Sequence, residues 1–396
     1  MRILVCGGAG FIGSNFIRRM LAPDGGAGAD PGVAGDAPSG RGGSDPIEVV
    51  NLDKLTYAGN PDNLKAVEAH PRYRFVHGDI CDREAVREAA EGVDAIVNFA
   101  AETHVDRSIV DPESFLRTDI LGTHTLLEAV REMGIARMVQ VSTDEVYGSV
   151  ATGSCIEDAL LAPSSPYSAS KAGGDLQVLA YHRTYGVPVM ITRASNTYGP
   201  YQYPEKLIPL FVTNALEGEQ LPLYGDGLNV RDWLHVDDHC AGIEFVLAHG
   251  EPGQVYNVGG SNERTNVEIT AIILDELGLD QSVIRWVPDR PGHDRRYSID
   301  CGKLAAMGWV PEEDFETGLR QTIRWYRDND WWWRKIKHQT DDFAAWKRRW
   351  YEEREGAPAG AVAPAKEGGP AGATAAPAEG AASAGEGAPA GDASPR

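Results

Sequence analysis

Arg2-Ile3-Leu4-Val5-Cys6-Gly7-Gly8-Ala9-Gly10-Phe11-Ile12-Gly13 passes from a run of branched apolar residues straight into a glycine-spaced turn. The run suits a buried strand, and the turn suits the start of a helix. Glycines at 7, 10 and 13 permit positive φ, let backbone approach a diphosphate, and let the helix pack close on the strand. Free N–H groups and the macrodipole at the helix N-terminus favour negative charge there. The stretch therefore predicts a dinucleotide cradle at Gly7, Gly10, Phe11, Ile12 and Gly13, with an ordinary small-residue turn as the weaker alternative.

Such a cradle calls for an acidic residue about 20 positions on, at the end of a second strand. Residues 22–46 are Gly, Ala, Pro and Asp without periodicity and read as a surface insertion. After them, Ile47 to Asp53 forms the awaited strand and carboxylate. Asp53 can accept both ribose hydroxyls and would repel a 2′-phosphate, which predicts NAD over NADP; a simple turn aspartate is the bland alternative. Further apolar runs at Tyr73 to Val76, Ala95 to Ala101, Met138 to Ser142 and Val189 to Arg193 alternate with helical patterns such as Arg83 to Ala90 and Thr123 to Met133. Strands buried on both faces of a parallel sheet look like this. Asp79 and Ile80 are expected at the adenine, and Phe99, Ala100 and Ala101 along the channel toward the nicotinamide. The expected fold class is α/β, a Rossmann-type doubly wound parallel sheet with a smaller C-terminal α/β substrate lobe.

Composition narrows the function classes. With 396 residues and 42% hydrophobic content there is chain enough for a large domain and a lobe. The expected division is a mainly NAD-binding domain over 1–195 and a mainly substrate-binding lobe over 196–337, some of which returns to the first domain. A helical extension over 338–355 and a disordered Ala/Gly/Pro tail over 356–396 would complete the chain. No run approaches the roughly 18 apolar residues of a membrane span, and the chain opens on a strand where a signal peptide would stand. A cytoplasmic protein that binds no membrane is expected. The five scattered cysteines and ten histidines show no disulfide or metal-ligand spacing, so no metal is expected. A net charge of −21 argues against nucleic acid as a partner. One segment runs against that average, where Trp331-Trp332-Trp333-Arg334-Lys335 and Trp346-Lys347-Arg348-Arg349-Trp350 mix aromatics with bases. A membrane surface or single-stranded nucleic acid would suit it, but helices that pack aromatics on the lobe while their charges reach water suit it better.

The chemistry concentrates in Ser142-Thr143-Asp144-Glu145-Val146-Tyr147-Gly148, followed by Tyr167 and Lys171. Tyr167 and Lys171 fall one helical turn apart, and the ammonium with a positive nicotinamide would favour the phenolate, making Tyr167 a base. The hydroxyl and the two carboxylates sit at the carboxyl end of a strand, where such sheets bind ligands. Adjacent carboxyls with separate acid and base tasks need different protonation states and coupled titration.

On these motifs, residues 1 to about 337 resemble the extended short-chain dehydrogenase/reductase superfamily. More narrowly they resemble the dTDP-glucose 4,6-dehydratases. The narrow match rests on Ser142 to Gly148, on Asn196 to Pro209 and on Asp289-Arg290-Pro291-Gly292-His293-Asp294. The resemblance implies a lyase of deoxysugar biosynthesis that turns dTDP-glucose into dTDP-4-keto-6-deoxyglucose and water. Tyr167 would take the 4-hydroxyl proton, Thr143 hold the 4-ketone, Glu145 remove the C5 proton and Asp144 protonate the leaving C6 hydroxyl, with Lys171 supporting Tyr167. It adds Lys54, Leu55, Thr56 and Thr118 to the cofactor site, beside Tyr167 and Lys171. On the substrate side it implies Thr103, Thr143, Asn196, Lys206, Leu207, Pro222, Tyr224, Arg231, Asn266, Arg290 and His293. It also implies a homodimer through two long helices per subunit, one of which carries Tyr167.

Thr197 stands where the family usually has Asn, and Thr103 where Ser is common. Two other readings are an epimerase or decarboxylase of a UDP-sugar, which Asp144 opposes, and a silent NAD-binding regulator, which would be expected to lack Tyr167, Lys171 or the acid/base pair.

Overall fold

A computed structural model describes residues 1–22, 46–289 and 292–348. The 22–46 insertion, apart from its end residues, and the 356–396 tail lie outside the described residues, as do Arg290 and the part of the 338–355 extension beyond 348. The strands are β1 (Arg2–Cys6), β2 (Glu48–Asp53), β3 (Tyr73–His77), β4 (Ala95–Asn98), β5 (Arg137–Thr143), β6 (Val189–Ala194), β7 (Asn196–Tyr198), β8 (Leu221–Tyr224), β9 (Val230–His235), β10 (Val255–Val258), β11 (Glu263–Thr265) and β12 (Ile284–Val287).

Seven of them form one sheet in the order β10-β6-β5-β4-β1-β2-β3. Every neighbouring pair in it is parallel, so the carboxyl ends of all seven open on one edge. The order reverses between β1 and β4, which splays the connections apart and leaves a crevice above those two strands. The centre of the sheet is apolar on both faces: Ile3, Leu4, Val5, Ile96, Val97, Val139 and Ile191 are all buried. β3 departs from that pattern, with Arg74, Phe75 and His77 exposed, because it forms the sheet edge.

Two boundaries have local causes. The apolar run from Ala95 leaves the sheet at Asn98, three residues earlier than its pattern suggested, because the Asn98 side-chain oxygen accepts from Ala100 N at 3.1 Å and turns the chain. The helix Thr123–Met133 stops where Gly134 takes the left-handed conformation with φ 68°.

After β6 the chain builds smaller sheets. β11, β9 and β7 form one, and β12 pairs in parallel with β8, while β10 returns to the edge of the large sheet. Helices Leu207–Leu216, Asn266–Leu277 and Phe315–Asp328 bury an apolar cluster against these strands. The aromatic-basic segment resolves into helices Asp330–Gln339 and Asp341–Lys347. Trp325, Trp332, Trp333 and Trp346 turn inward, while Trp331 stays half exposed under the Lys65 ammonium, 4.7 Å from its ring centre. Trp333 also donates its indole N–H to Tyr326 O at 2.7 Å. The segment is a core element, and its charges pair at the rim, as Arg334 does with Asp330 and Glu217.

Trp333→Ala removes a fully buried side chain and is expected to destabilise the protein by about 3–5 kcal/mol, read from urea unfolding. A loss below about 1 kcal/mol would mean that the aromatic belt is peripheral.

Candidate active site

The cradle forms where β1 turns into the helix Phe11–Leu21. Gly7 has φ +75°, and a Cβ there would lie 2.6 Å from Ala100 N. A Cβ on Gly13 would meet Gly7 O at 2.4 Å, so helix and turn touch backbone to backbone. No side chain caps this helix, whose N-terminus faces the crevice. Asp53 locks the turn: its carboxylate accepts from Ala9 N and Leu55 N, each at 2.8 Å. Burial raises its pKa, and those two backbone donors oppose the rise.

One cavity follows the carboxyl edge from this turn. Its walls include Gly7, Gly10, Phe11, Ile12, Gly13, Asp53, Lys54, Thr56, Asp79, Ile80, Phe99, Ala100, Ala101, Thr118, Tyr167 and Lys171, with Thr103 and Lys206 at the same opening. Leu55 instead lines a neighbouring pocket, its backbone turned to φ 55°. A long, thin ligand with a diphosphate at the glycine turn fits these walls: Gly7, Ala100 and Ala101 are small, and the Asp53 carboxylate at the end of β2 lies on the same cavity.

β5 delivers the acid and base groups. It ends at Thr143, whose hydroxyl caps the short turn Asp144–Tyr147 by accepting from Glu145 N at 3.2 Å. The same hydroxyl donates to Asp144 Oδ1 at 3.2 Å and is near enough to the Tyr167 phenol to favour its ionised form. Thr143, Asp144 and Glu145 are not on the cavity wall that Val141, Ser142, Tyr167 and Lys171 form; they connect to it through the Thr143 hydroxyl. Beneath the turn, Tyr147 donates to Asn257 Oδ1 at 2.8 Å, and Arg193, ion-paired with Asp175 at 2.8 Å, donates to the Tyr147 oxygen.

Asp144 is buried, and its Oδ2 has no hydrogen-bond partner. Burial, then repulsion from Glu145 and Asp232, holds its pKa well above the carboxylate range, against the weaker pull of Arg231. Its surroundings therefore favour the protonated carboxyl over the ion.

The protein's own groups oppose ionisation of Tyr167. Its pKa stands well above 10, first because it is buried and then because Glu145, Asp119 and Asp144 surround it with negative charge. Lys171 does not overcome this, since its Nζ is turned to Val141 O at 2.9 Å. A phenolate here needs positive charge beyond what the protein supplies.

The substrate-side residues spread along the lobe. Asn196 begins β7 with its side-chain oxygen buried and unpartnered. Lys206 and Leu207 start the helix Leu207–Leu216, Pro222 and Tyr224 lie on β8, and Asn266 opens the helix Asn266–Leu277. Arg231 on β9 is buried, donates to Val230 O and Asp294 O at 2.7 and 2.9 Å, and stacks 4.3 Å from the Tyr297 ring centre. His293 bonds Asp289 at 2.6 Å beside the Tyr224 ring.

The sequence reading missed Asp119, Glu205, Asp232 and Tyr297. None was singled out, although Glu205 lies within the quoted run Asn196 to Pro209, and only folding sets each beside Tyr167, Thr103, Asp144 or Arg231. It also could not see that His235, Asp237 and Glu313 place ligand atoms within 4.8 Å of one another. That group lies where the helices Val236–His249 and Phe315–Asp328 begin, and both helix dipoles oppose a cation there.

Comparison with known proteins agrees with this geometry. A family model described as GDP-mannose 4,6 dehydratase matches residues 41–322. A dTDP-glucose 4,6-dehydratase of Streptomyces niveus is 52% identical over 338 residues, covering 85% of this chain and 96% of the relative. The solved DesIV, a dTDP-glucose 4,6-dehydratase from Streptomyces venezuelae with NAD and TYD bound, is 56% identical with a TM-score of 0.78, covering 85% of this chain and all of that one. A dTDP-glucose 4,6-dehydratase from Bacillus anthracis in complex with NAD is 49% identical with a TM-score of 0.75, at 85% and 100% coverage. Among the described residues no helix is long and apolar enough to cross a membrane.

A raised folded-state pKa makes Asp144 stabilising in acid and costly as pH rises. Asp144→Asn is therefore expected to gain melting temperature relative to wild type as pH rises above the ordinary carboxylate range of about 4. A constant difference as pH rises would show an ordinary, ionised carboxylate.

Proposed function

The chain belongs to the dTDP-glucose 4,6-dehydratase family, within the extended short-chain dehydrogenase/reductase superfamily, and from that premise we propose how its residues divide the reaction. Residues 1–195 hold NAD in the cleft over the large sheet, and the lobe within 196–337 holds dTDP-glucose. NAD, when bound, accepts a hydride from C4 of the hexose and returns it at C6, so none is consumed.

Tyr167, having released its own proton to solvent as a phenolate once the cleft holds a cationic ring, takes the proton of the sugar 4-hydroxyl on its phenolic oxygen. Lys171 lies one turn further on, and its ammonium steadies the phenolate that forms. Thr143 moves its hydroxyl proton from Asp144 toward the new 4-carbonyl oxygen, which draws charge from C5 and acidifies the C5 hydrogen. Glu145 removes that hydrogen. Asp144 gives its proton to the C6 oxygen, and water leaves with the pair of electrons that held it. Glu145 then returns a proton to C5, and the product is dTDP-4-keto-6-deoxyglucose. The observation that carries this reading is Asp144 itself: a buried carboxyl whose acidity is weakened by burial and by a second carboxyl beside it is what elimination needs, whereas a C4 epimerisation has no leaving group to protonate.

Around the nucleotide, Arg231 turns its fork to the diphosphate, and Tyr224 offers its ring to the pyrimidine with His293 and Asn266 nearby. Subunits pair through the helices Thr123–Met133 and Pro166–Tyr185, whose outer faces leave Leu176, Tyr185 and Met133 exposed. The supporting points for a cytoplasmic setting are the five free cysteines and the soluble chemistry of the relatives.

The protein is expected to form an alkali-absorbing 4-ketosugar from dTDP-glucose with no added reductant and to leave UDP-glucose largely untouched. Turnover of UDP-sugars alone, or stoichiometric loss of NAD, would overturn the reading. Asp144→Asn is expected to slow elimination by about 10²–10⁴ while C4 oxidation, seen as transient reduced cofactor, persists. Glu145→Gln should abolish solvent deuterium uptake at C5; equal loss of every partial reaction in both variants would mean the roles are misassigned. Leu176→Asp is expected to convert a dimer to a monomer in sedimentation velocity, and a wild-type monomer would refute the pairing.

A further inference from the structure

The helix Pro166–Tyr185 packs on an irregular segment in which Arg117–Gly122 forms a π-helical turn between two α-helices. Extra width in a helix has to be accommodated by its neighbour, and here glycines do so. A Cβ on Gly174 would meet Asp119 O at 2.7 Å, and one on Gly173 would meet Ile120 at 2.6 Å. The turn thus presses two side chains toward Tyr167: Thr118 reaches the cofactor cavity, and Asp119 goes beneath it.

Asp119 is 2% exposed. Its Oδ2 accepts from Ser170 Oγ at 2.5 Å, and Ser170 Oγ also reaches Tyr167 O at 2.8 Å. Its Oδ1 is buried and has no hydrogen-bond partner. The charged or titratable groups facing it are Lys171, Asp175 and Tyr167 from the packed helix and Glu102 from the segment after β4. Of the two buried carboxylates flanking Lys171, Asp175 already has Arg193 as an ion-pair partner at 2.8 Å. Among the described residues Asp119 forms no ion pair within 4 Å, and Lys171 is the cation that lowers its pKa most.

We propose that Asp119 is a positioning residue for the Tyr167–Lys171 pair, a counter-charge built into the π-helical turn that governs when the Tyr167 phenol can release its proton. It touches no reacting atom. Ionised, it adds to Glu145 in holding the proton on Tyr167, so the base stays neutral until a cationic ring enters the cleft. Burial, with Asp175 adding and Lys171 and Ser170 opposing, pushes Asp119 itself up to about 6, so this control changes near neutral pH. The inference rests on the assignment of Tyr167 as the base in C4 oxidation.

Two measurements on the full chain test it. The first needs no ligand: melting temperatures of wild type and Asp119→Asn are compared across pH. A carboxyl with a raised folded-state pKa loses its stabilising effect as pH rises, so the wild type should fall behind the variant as pH climbs through about 6. Ser170→Ala, which removes the bond favouring the ionised form, should move that step to higher pH, and it serves in place of Asp119→Asn if that variant does not fold. The second follows C4 oxidation of dTDP-glucose against pH. Removing the anion should move the acid limb down by about one pH unit in Asp119→Asn with KM unchanged. A flat melting-temperature difference, or an acid limb that stays put while rate falls equally at every pH, would overturn the proposal. Success of the first measurement in a protein that forms no 4-ketosugar would instead refute the assigned reaction and leave the buried titrating Asp119 standing.

Discussion

Taking charge out of water governs this molecule. At the carboxyl ends of parallel strands the backbone stops pairing, and the side chains that follow sit under a lobe that covers them. Asp144, Asp119 and Tyr167 are all buried there, and burial is the first cause of each one's altered acidity. A carboxyl that would be an anion at the surface becomes a proton donor, and a phenol that would titrate near 10 becomes harder to ionise. Burial thus favours the protonated form of both groups, and ionising the phenol calls for positive charge beyond what the protein supplies.

That dry site depends on how the lobe is tied down. Arg107 pairs with Glu205 at 2.9 Å and with Asp342 on the last described helix, while its guanidinium lies 3.5 Å from the Tyr57 ring centre. Tyr57 in turn hydrogen-bonds Thr103 O and Glu205. Next to Thr103, His104 takes φ 79° and bonds Glu205 O at 3.2 Å, with Trp346 edge-on to its ring. Positive φ in a non-glycine residue persists only where its surroundings over-determine it. Here the surroundings come from four separate stretches of chain, which connects the C-terminal aromatic helices to the rim of the cleft.

The comparison of sequence and structure is instructive at particular residues. β1, the glycine turn and the helix Thr123–Met133 were legible because each obeys a local rule: apolar runs, small residues at a tight turn, apolar 3.6-residue spacing closed by glycine. The aromatic-basic segment was legible in outline too, as helices facing inward. Tyr73 to Val76 reads as a strand buried on both faces, and the strand Tyr73–His77 is half exposed, because sheet order, which no short window contains, puts it at the edge. Lys171 together with a nicotinamide's positive charge is expected to acidify Tyr167; the protein's own groups work against that, because the carboxylates around the phenol include one, Asp119, that arrives from a different helix.

The chain alone determined the sheet class, the cradle and the Thr143-Asp144-Glu145 run with Tyr167 and Lys171, since spacing along a strand or helix fixes which groups share a face. Tertiary structure alone decided which of those groups carry protons. Protonation follows solvent access and the sum of charges within several ångströms, and those charges come from Asp119, Arg231 and Asp232, far apart in sequence and joined only when the lobe closes over the sheet.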